Sequence, residues 1–414
     1  MEGLVTTATR PGVRARYAAR REAILAAACK VFIDQGVSGF TLAAVAKRMD
    51  LHPVSLTYYF KRKEDLAAEC MRLTLARFND MLSRAEEETS PQTRLRTFVH
   101  AYFETRREIV LGEAPRLLPF GEISHIGAPG DTELTDAYRA LRQRLARLLR
   151  PSDAPWLTGP RRYMLAHLIL DQLCWSDTWI AGYEIGDFER IAERIADVMI
   201  NGLAAPGQDW PQRPLLELGA PPAQNDEVTR ERFLIAATEI INREGYRGAS
   251  VDKISAYLNV TKGSFYHHNT DKDELARACF ERTFDLIDEA KSKGAGESTG
   301  WARLWLIAAS LTAHQTSAER GRMLRHFALS AMPWELRRTI SARFQQIANG
   351  FSGIISDGIA DGSLRPVDPL LSAHLVMAMF NSVLLLEHWG EDATVDTVMA
   401  AYVRPALLGF FTPQ

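Results

Sequence analysis

A chain of 414 residues is long enough for two or more domains. Its 46% hydrophobic and 24% charged residues exclude a disordered or fibrous polymer, and no apolar run is long enough to span a bilayer. A net charge of −2 excludes a bulk polycation, so basic residues matter for nucleic acid only where they cluster: at Arg10, Arg14, Arg16, Arg20 and Arg21, and again at Lys61, Arg62 and Lys63.

The N-terminal segment lacks the apolar core of a signal peptide. Cys29, Cys70, Cys174 and Cys279 are scattered, with no CxxC and no histidine at zinc spacing, which predicts reduced thiols in a cytoplasmic protein with no metal and no cofactor. Residues 1–19 are small, basic and aperiodic and read as a flexible basic arm. Helical periodicity starts near Arg20, with Ile24, Leu25, Ala28, Val31 and Phe32 on one stripe and Gly36 as a left-handed stop. Thr41 suits the N-cap of a short helix whose Leu42, Val45 and Met49 face inward. Asp50 marks a turn, and Pro53 falls in the first turn of a third helix, where a missing N–H does no harm. A fourth helix runs from Lys63 to Glu88. Further helices are expected at Gln92–Val110, Ala114–Ile123, Thr132–Leu149, Arg161–Ala181 and Asp187–Ala204. No segment alternates with period two over a useful length, so the predicted class is all-α.

Residues 206–226 are Pro-rich and carry no stripe. They read as an extended linker that could reach on the order of 60 Å at about 3.3 Å per residue. A second series follows. Phe233, Leu234, Ala237, Ile240 and Ile241 form a stripe ended by Gly245, then come helices at Val251–Tyr257, Lys262–His268 and Lys272–Lys291. Later helices are expected at Thr299–His314, Ala318–Ala331, Trp334–Ala360, Pro369–Trp389 and Val395–Phe411.

The two series are copies. Thr41–Leu66 aligns without a gap on Ser250–Leu275, and Gly36/Gly245 and Lys63/Lys272 share an offset of 209 residues. A repeat of that length is a duplicated domain, not a solenoid period. Within each copy, two short helices joined by a tight turn make a helix-turn-helix. The first helix needs small residues where its partner crosses, supplied by Ala43, Ala44 and Ala46. The turn needs a residue that tolerates positive φ, supplied by Asp50 and Asn259. The second helix must show short or polar side chains to base edges, while tyrosine hydroxyls and a lysine suit phosphate oxygens. The candidate DNA-facing residues are Thr41, His52, Pro53, Ser55, Thr57, Tyr58, Tyr59 and Lys63 in the first copy. In the second they are Ser250, Thr261, Lys262, Gly263, Ser264, Tyr266, His267, His268 and Lys272.

Both stretches resemble the N-terminal domain of the TetR family of bacterial transcriptional regulators. The second copy matches its signature at Phe233–Ala237, Gly245, Ser250, Ile254, Val260–Tyr266, His268 and Lys272, and departs at Asn269. The first matches at Ile24–Ala28, Gly36, Thr41, Val45, Ala46, Leu56, Tyr59, Phe60 and Lys63, and departs at Asp50, Val54 and Thr57. The resemblance implies two tandem TetR-like units. Each has a helix-turn-helix domain (20–66 and 227–275) followed by a helical regulatory domain (67–205 and 276–414). It also implies pairing through the last two long helices of each unit and release of double-stranded operator DNA by a small-molecule effector. Most members have one copy; two copies predict an intramolecular pseudo-dimer on an asymmetric operator, with further pairing into a homodimer left open.

Effector candidates are Phe98, Phe103, His167, Trp175 and Trp179 in the first half and Trp305, Phe327, Trp334, His374 and Phe380 in the second. Their apolar and aromatic character predicts an effector of the same kind, although each also suits plain core packing. His167 and His374 occupy comparable places on apolar helices. No phosphate loop, metal spacing or nucleophile constellation supports an enzyme. The alternative of another class is a ligand carrier or sensor of the same fold with one or both DNA motifs inactive.

Overall fold

The computed structural model describes residues 11–126, 132–150, 156–219, 229–261, 263, 271–317, 320–383 and 394–413. Among them there is no strand, only an isolated bridge between Ala204 and Leu364, so the all-α class holds. The chain divides into two compact units, one of residues 1–77 with 108–138, the other of 78–107 with 139–414.

The first unit holds α1 (Pro11–Gly39), α2 (Leu42–Arg48), α3 (Pro53–Thr57) and the start of α4 (Lys63–Glu86). Helix α1 begins well before the expected Arg20: residues 11–19, read as an arm, are helical. Pro11 is preset for a first turn and the alanine–arginine run behind it has high helix propensity. Ile24, Ala28, Val31 and Phe32 are buried with Val45, Leu56 and Leu66, and the Phe32 and Phe40 rings lie 5.5 Å apart. The helix expected at Ala114–Ile123 does not form; a 3-10 turn at Phe120–His125 stands near its end. Pro115 and Pro119 remove two donors there, and the N–H of Leu118 donates instead to the Thr74 hydroxyl at 3.0 Å.

The second unit holds α5 (Pro91–Leu111) up to Arg107 and most of α6 (Glu133–Leu148), then α7 (Gly159–Trp175) and α8 (Phe188–Asn201). Helix α7 ends earlier than the expected Ala181, passing into 3-10 turns. The second series follows as α9 (Arg230–Gly248), α10 (Val251–Tyr257), α11 (Lys272–Lys293), α12 (Gly300–Thr316), α13 (Trp334–Ala360) and α14 (Pro369–Ser382). It closes with α15 (Val395–Val398), a π turn (Met399–Val403) and α16 (Arg404–Leu408). Where a helix was expected over Ala318–Ala331, residues 321–325 are non-helical and His326–Ala331 is a 3-10 helix. Gly321 stands at φ 71, outside helical space.

Helix α7 packs on α14 across this unit. The Gln172 amide donates to the Leu375 carbonyl at 3.1 Å, and His167 Nε2 lies 3.3 Å from the Ser382 carbonyl. The ends of α8 and α16 meet backbone to backbone: the Leu203 N–H donates to the Leu407 carbonyl at 2.7 Å and the Phe410 N–H to that of Met199 at 2.9 Å. Arg365 clamps the same corner, donating to the Gly202 carbonyl at 2.6 Å and to Asp197 at 2.8 Å.

The linker is extended, as expected, but its described part is strapped down rather than free. The Leu216 N–H donates to Ser310 Oγ at 2.9 Å and the Gly219 N–H to Glu289 Oε2 at 3.0 Å. Trp301 Nε1 donates to the Asp209 carbonyl at 3.2 Å, and Trp210 packs edge-on to Trp305 at 5.7 Å.

Candidate nucleic-acid interface and effector cleft

In the first copy the Thr41 hydroxyl accepts from the Ala44 N–H at 3.0 Å, so its first role is to cap α2. Asp50 adopts φ 54, and the Leu51 N–H returns to the Ala46 carbonyl at 2.9 Å. The second copy repeats this: Asn259 at φ 55, Val260 N–H to the Ser255 carbonyl at 2.9 Å, and Ser250 capping α10 through the Lys253 N–H. The side chain–backbone bonds and the left-handed residue together fix the turn in both.

Helix α3 hangs on one buried side chain, Leu56, and shows the rest to solvent: His52, Pro53, Val54, Ser55, Thr57 and Tyr58 are exposed. His52 caps the helix through Nδ1, which accepts from the Val54 N–H at 3.4 Å. Thr57 donates its hydroxyl to the Val54 carbonyl at 2.8 Å. A phosphate oxygen only accepts, so the one proton Thr57 has to offer is already engaged. Tyr59 is half-buried and stacks on Tyr17 of α1 at 4.9 Å, while Tyr58 meets both rings edge-on at 6.1 and 5.2 Å. Tyr17 was not among the residues singled out in the sequence; its only signal is the helical extension of α1, hidden there by the apparent arm. Lys63, half-buried, opens α4.

In the second copy, Thr261 and Gly263 are exposed. Lys262, Ser264, Tyr266, His267 and His268 lie outside the described residues. Lys272 opens α11 with its ammonium 4.4 Å from the centre of the Tyr246 ring.

The effector candidates do not form two clusters, one per half. Phe98 sits in the core by Phe78, Phe380 by Phe351, and Trp305 against Trp210. Trp334 is 65% exposed, with Arg337 over its ring. The side chain of Phe327 lies outside the description. Phe103 approaches Trp179 at 6.4 Å, and Trp179 stacks on His374 at 5.0 Å. Trp175 and His374 line a common cleft with Phe344, a further aromatic of the second half, with Met377 and His326, both of which sequence reasoning missed, and with Thr178, Ser341 and Gln345 exposed on the rim. Its volume is about 20 Å³, room for roughly one water. Burial pushes His326 and His374 down to about 4, so both are neutral at pH 7. The buried Cys70 thiol, beside Cys29, is held above its ordinary range; a raised pKa means little thiolate and low reactivity.

With that geometry in view, the comparisons are specific at the helix-turn-helix. The model for "Bacterial regulatory proteins, tetR family" matches residues 24–70 and again 233–279. The Transposon Tn10 TetC protein of Escherichia coli is 24% identical over 162 residues, 39% of this chain and 81% of that protein. The HTH-type transcriptional repressor DhaR of Mycobacterium sp. (strain GP1) is 24% identical over 161 residues, 38% and 80% respectively. Most of each relative is thus matched by under half of this chain. Among solved structures, PfmR from Thermus thermophilus, described as a TetR family transcriptional regulator, is similar at 19% identity and TM-score 0.37, over 44% of this chain and 100% of that one.

Proposed function

This chain consists of two tandem TetR-like units, and from that premise we propose that it is a ligand-responsive, DNA-binding repressor working as a single-chain pseudo-dimer. The observation that carries this reading is the contact of α7 and α8 with α14 and α16. The last helices of the two repeats, the elements expected to join separate subunits, meet here within one chain.

His52, Val54 and Ser55 then face base edges, with the Val54 methyls suited to a thymine methyl. Tyr17, Tyr58, Tyr59 and Lys63 face phosphates. The corresponding set in the second copy is Thr261, Lys262, Gly263, Ser264, Tyr266, His267, His268 and Lys272. An effector, small and apolar or aromatic, acts through unequal affinity for the DNA-bound and free arrangements. The domain divisions follow as stated from the sequence, except that the arm ends before Pro11.

Residues 52–58 and 261–267 differ almost throughout. Site selection from random duplex DNA is therefore expected to return an operator with unlike halves, spaced about one helical turn or roughly 34–36 Å. Recovery of perfect palindromes alone would contradict the intramolecular arrangement. Absence of any salt-dependent duplex binding would favour the carrier reading.

The engaged hydroxyl of Thr57 yields a sharper expectation. Thr57→Ala should change operator affinity by less than about twofold, because its proton already serves Val54. Lys63→Ala should weaken binding about threefold to tenfold across sequences and reduce the salt slope by about 1. Fluorescence anisotropy at several salt concentrations reads both, and equal losses would sink this assignment.

A further inference from the structure

Resting on the ligand-responsive reading, we propose that the effector site is the cleft between the two repeats, and that it takes a neutral, flat aromatic molecule carrying a hydrogen-bond acceptor. Trp175 comes from the first repeat; His326, Phe344, His374 and Met377 come from the second. The rings of Trp175, His326 and Phe344 stand 4.7 to 5.9 Å apart, pairwise tilted or edge-on, the packing that also receives a further aromatic ring.

The polar groups of the cleft are short of partners. His374 is 4% exposed and neither ring nitrogen has a hydrogen bond among the described residues; Trp175 Nε1 is buried and unpartnered among them as well. A native protein rarely leaves such groups unpaired without a reason, and an acceptor on a bound ring satisfies an indole N–H and an imidazole N–H together. Charge argues for a neutral ligand. The charged side chain acting on His374 is Asp368, burial alone shifts His326, and the rim residues Thr178, Ser341 and Gln345 are uncharged. An anion would find no cation among the described residues that line the cleft.

The duplicated position is bonded differently. His167, 207 residues before His374, is engaged with the Ser382 carbonyl and lies 3.4 Å from Asp171. Ser382, 207 residues after Trp175, is bound to the Tyr402 hydroxyl. At the duplicated position, His167 and the Tyr402 hydroxyl therefore both meet Ser382, and only Nδ1 of His167 is left unpartnered among the described residues. The unliganded cleft holds about a water's volume, so entry parts the side chains, with Met377 the most adaptable of them.

Quinoline and naphthalene test the proposal, being alike in shape and differing in one acceptor nitrogen. Equilibrium dialysis of the full chain at about pH 7.5 should give one quinoline per chain and naphthalene about tenfold weaker. His374→Phe keeps an aromatic ring and should lower quinoline to the naphthalene level while leaving naphthalene unchanged; Trp175→Phe should act in the same direction. Each variant carries its own naphthalene measurement as the control for folding. Two quinolines per chain, equal affinity for the two probes, no binding of quinoline, or quinoline binding indifferent to both substitutions would overturn the site. Operator affinity is read separately. If quinoline binds as described and operator affinity does not move, the site stands and the ligand-responsive reading fails.

Discussion

Gly202→Ala is expected to lower the unfolding free energy by about 3–5 kcal/mol, among the larger effects available to one methyl group. Gly202 follows α8 at φ 72 and ψ −169, a region reached almost only by glycine. A Cβ there would lie 2.2 Å from the carbonyl carbon of Leu408, 2.4 Å from the nitrogen of Gly409 and 2.6 Å from the oxygen of Leu407. All three are backbone atoms, so no side-chain rotation relieves the clash. The ends of α8 and α16 must separate, and the bonds from Leu203 to Leu407 and from Phe410 to Met199 go with them. Gly409, 207 residues later, faces the same restriction at φ 100, its added Cβ 2.6 Å from the Ile200 oxygen. The contact is thus reciprocal between duplicated positions. Gly207 supplies the comparison, since it has φ 83 and open space around its Cβ position. Its alanine variant should lose only the left-handed penalty of about 1–2 kcal/mol. Urea unfolding followed by tryptophan fluorescence and circular dichroism separates the two; equal losses would mean that the close approach is not the cause.

The parts legible from sequence are those governed by neighbours in the chain. Asp50 and Asn259 were expected to take positive φ because a short polar side chain tolerates it after a capped helix, and both do. Stripes at helical spacing placed α2, α10 and α13 almost to the residue. The same rule failed over Ala114–Ile123, where apolar spacing looked helical but Pro115 and Pro119 deny the backbone its donors. It failed again around Gly321. The anchoring of the linker was not legible for a different reason. Composition reports whether a segment can be helical, not whether Trp210 and Leu218 find a surface to bury against. The cleft was the least legible. Trp175 and His374 could be noticed as aromatic residues on apolar helices, but the meeting of Trp175 with His326 and Phe344 depends on contacts more than 150 residues apart. No local pattern encodes that. The duplication, which did show in the sequence, led only to candidate residues in each half.

Acidification from pH 6.5 toward 4 is expected to remove several kcal/mol of stability. His314, His326 and His374 are each pushed from the ordinary 6.5 down to about 4, mainly by burial. Between those values the unfolded chain binds protons that the folded chain refuses. More protons on the unfolded state means that stability rises with pH, so it is lost as pH falls through 6.5 and the loss is complete near 4. For His314 and His374, each about 5% exposed, the shift corresponds to about 3 kcal/mol apiece. His314 also feels Arg282 and Arg320, which oppose its protonation, and Glu289, which favours it; its Nε2 lies 3.0 Å from the Gly321 carbonyl. The carboxyls of Glu69, Glu86 and Glu244, paired with arginine or lysine, are held below 4.5 and lose their contribution at lower pH still. Urea midpoints at about pH 7.5, 6.0 and 5.0 should therefore fall steeply for the natural chain. They should fall less for the double variant His326→Phe/His374→Phe, which has no proton to take up in the cleft. An unchanged slope in that variant would show that these two rings are not held neutral by burial. The same comparison bears on the cleft itself: imidazoles that resist protonation down to about pH 4 keep both an N–H donor and an acceptor nitrogen at neutral pH. Such a ring can meet an uncharged aromatic ligand without first shedding a proton.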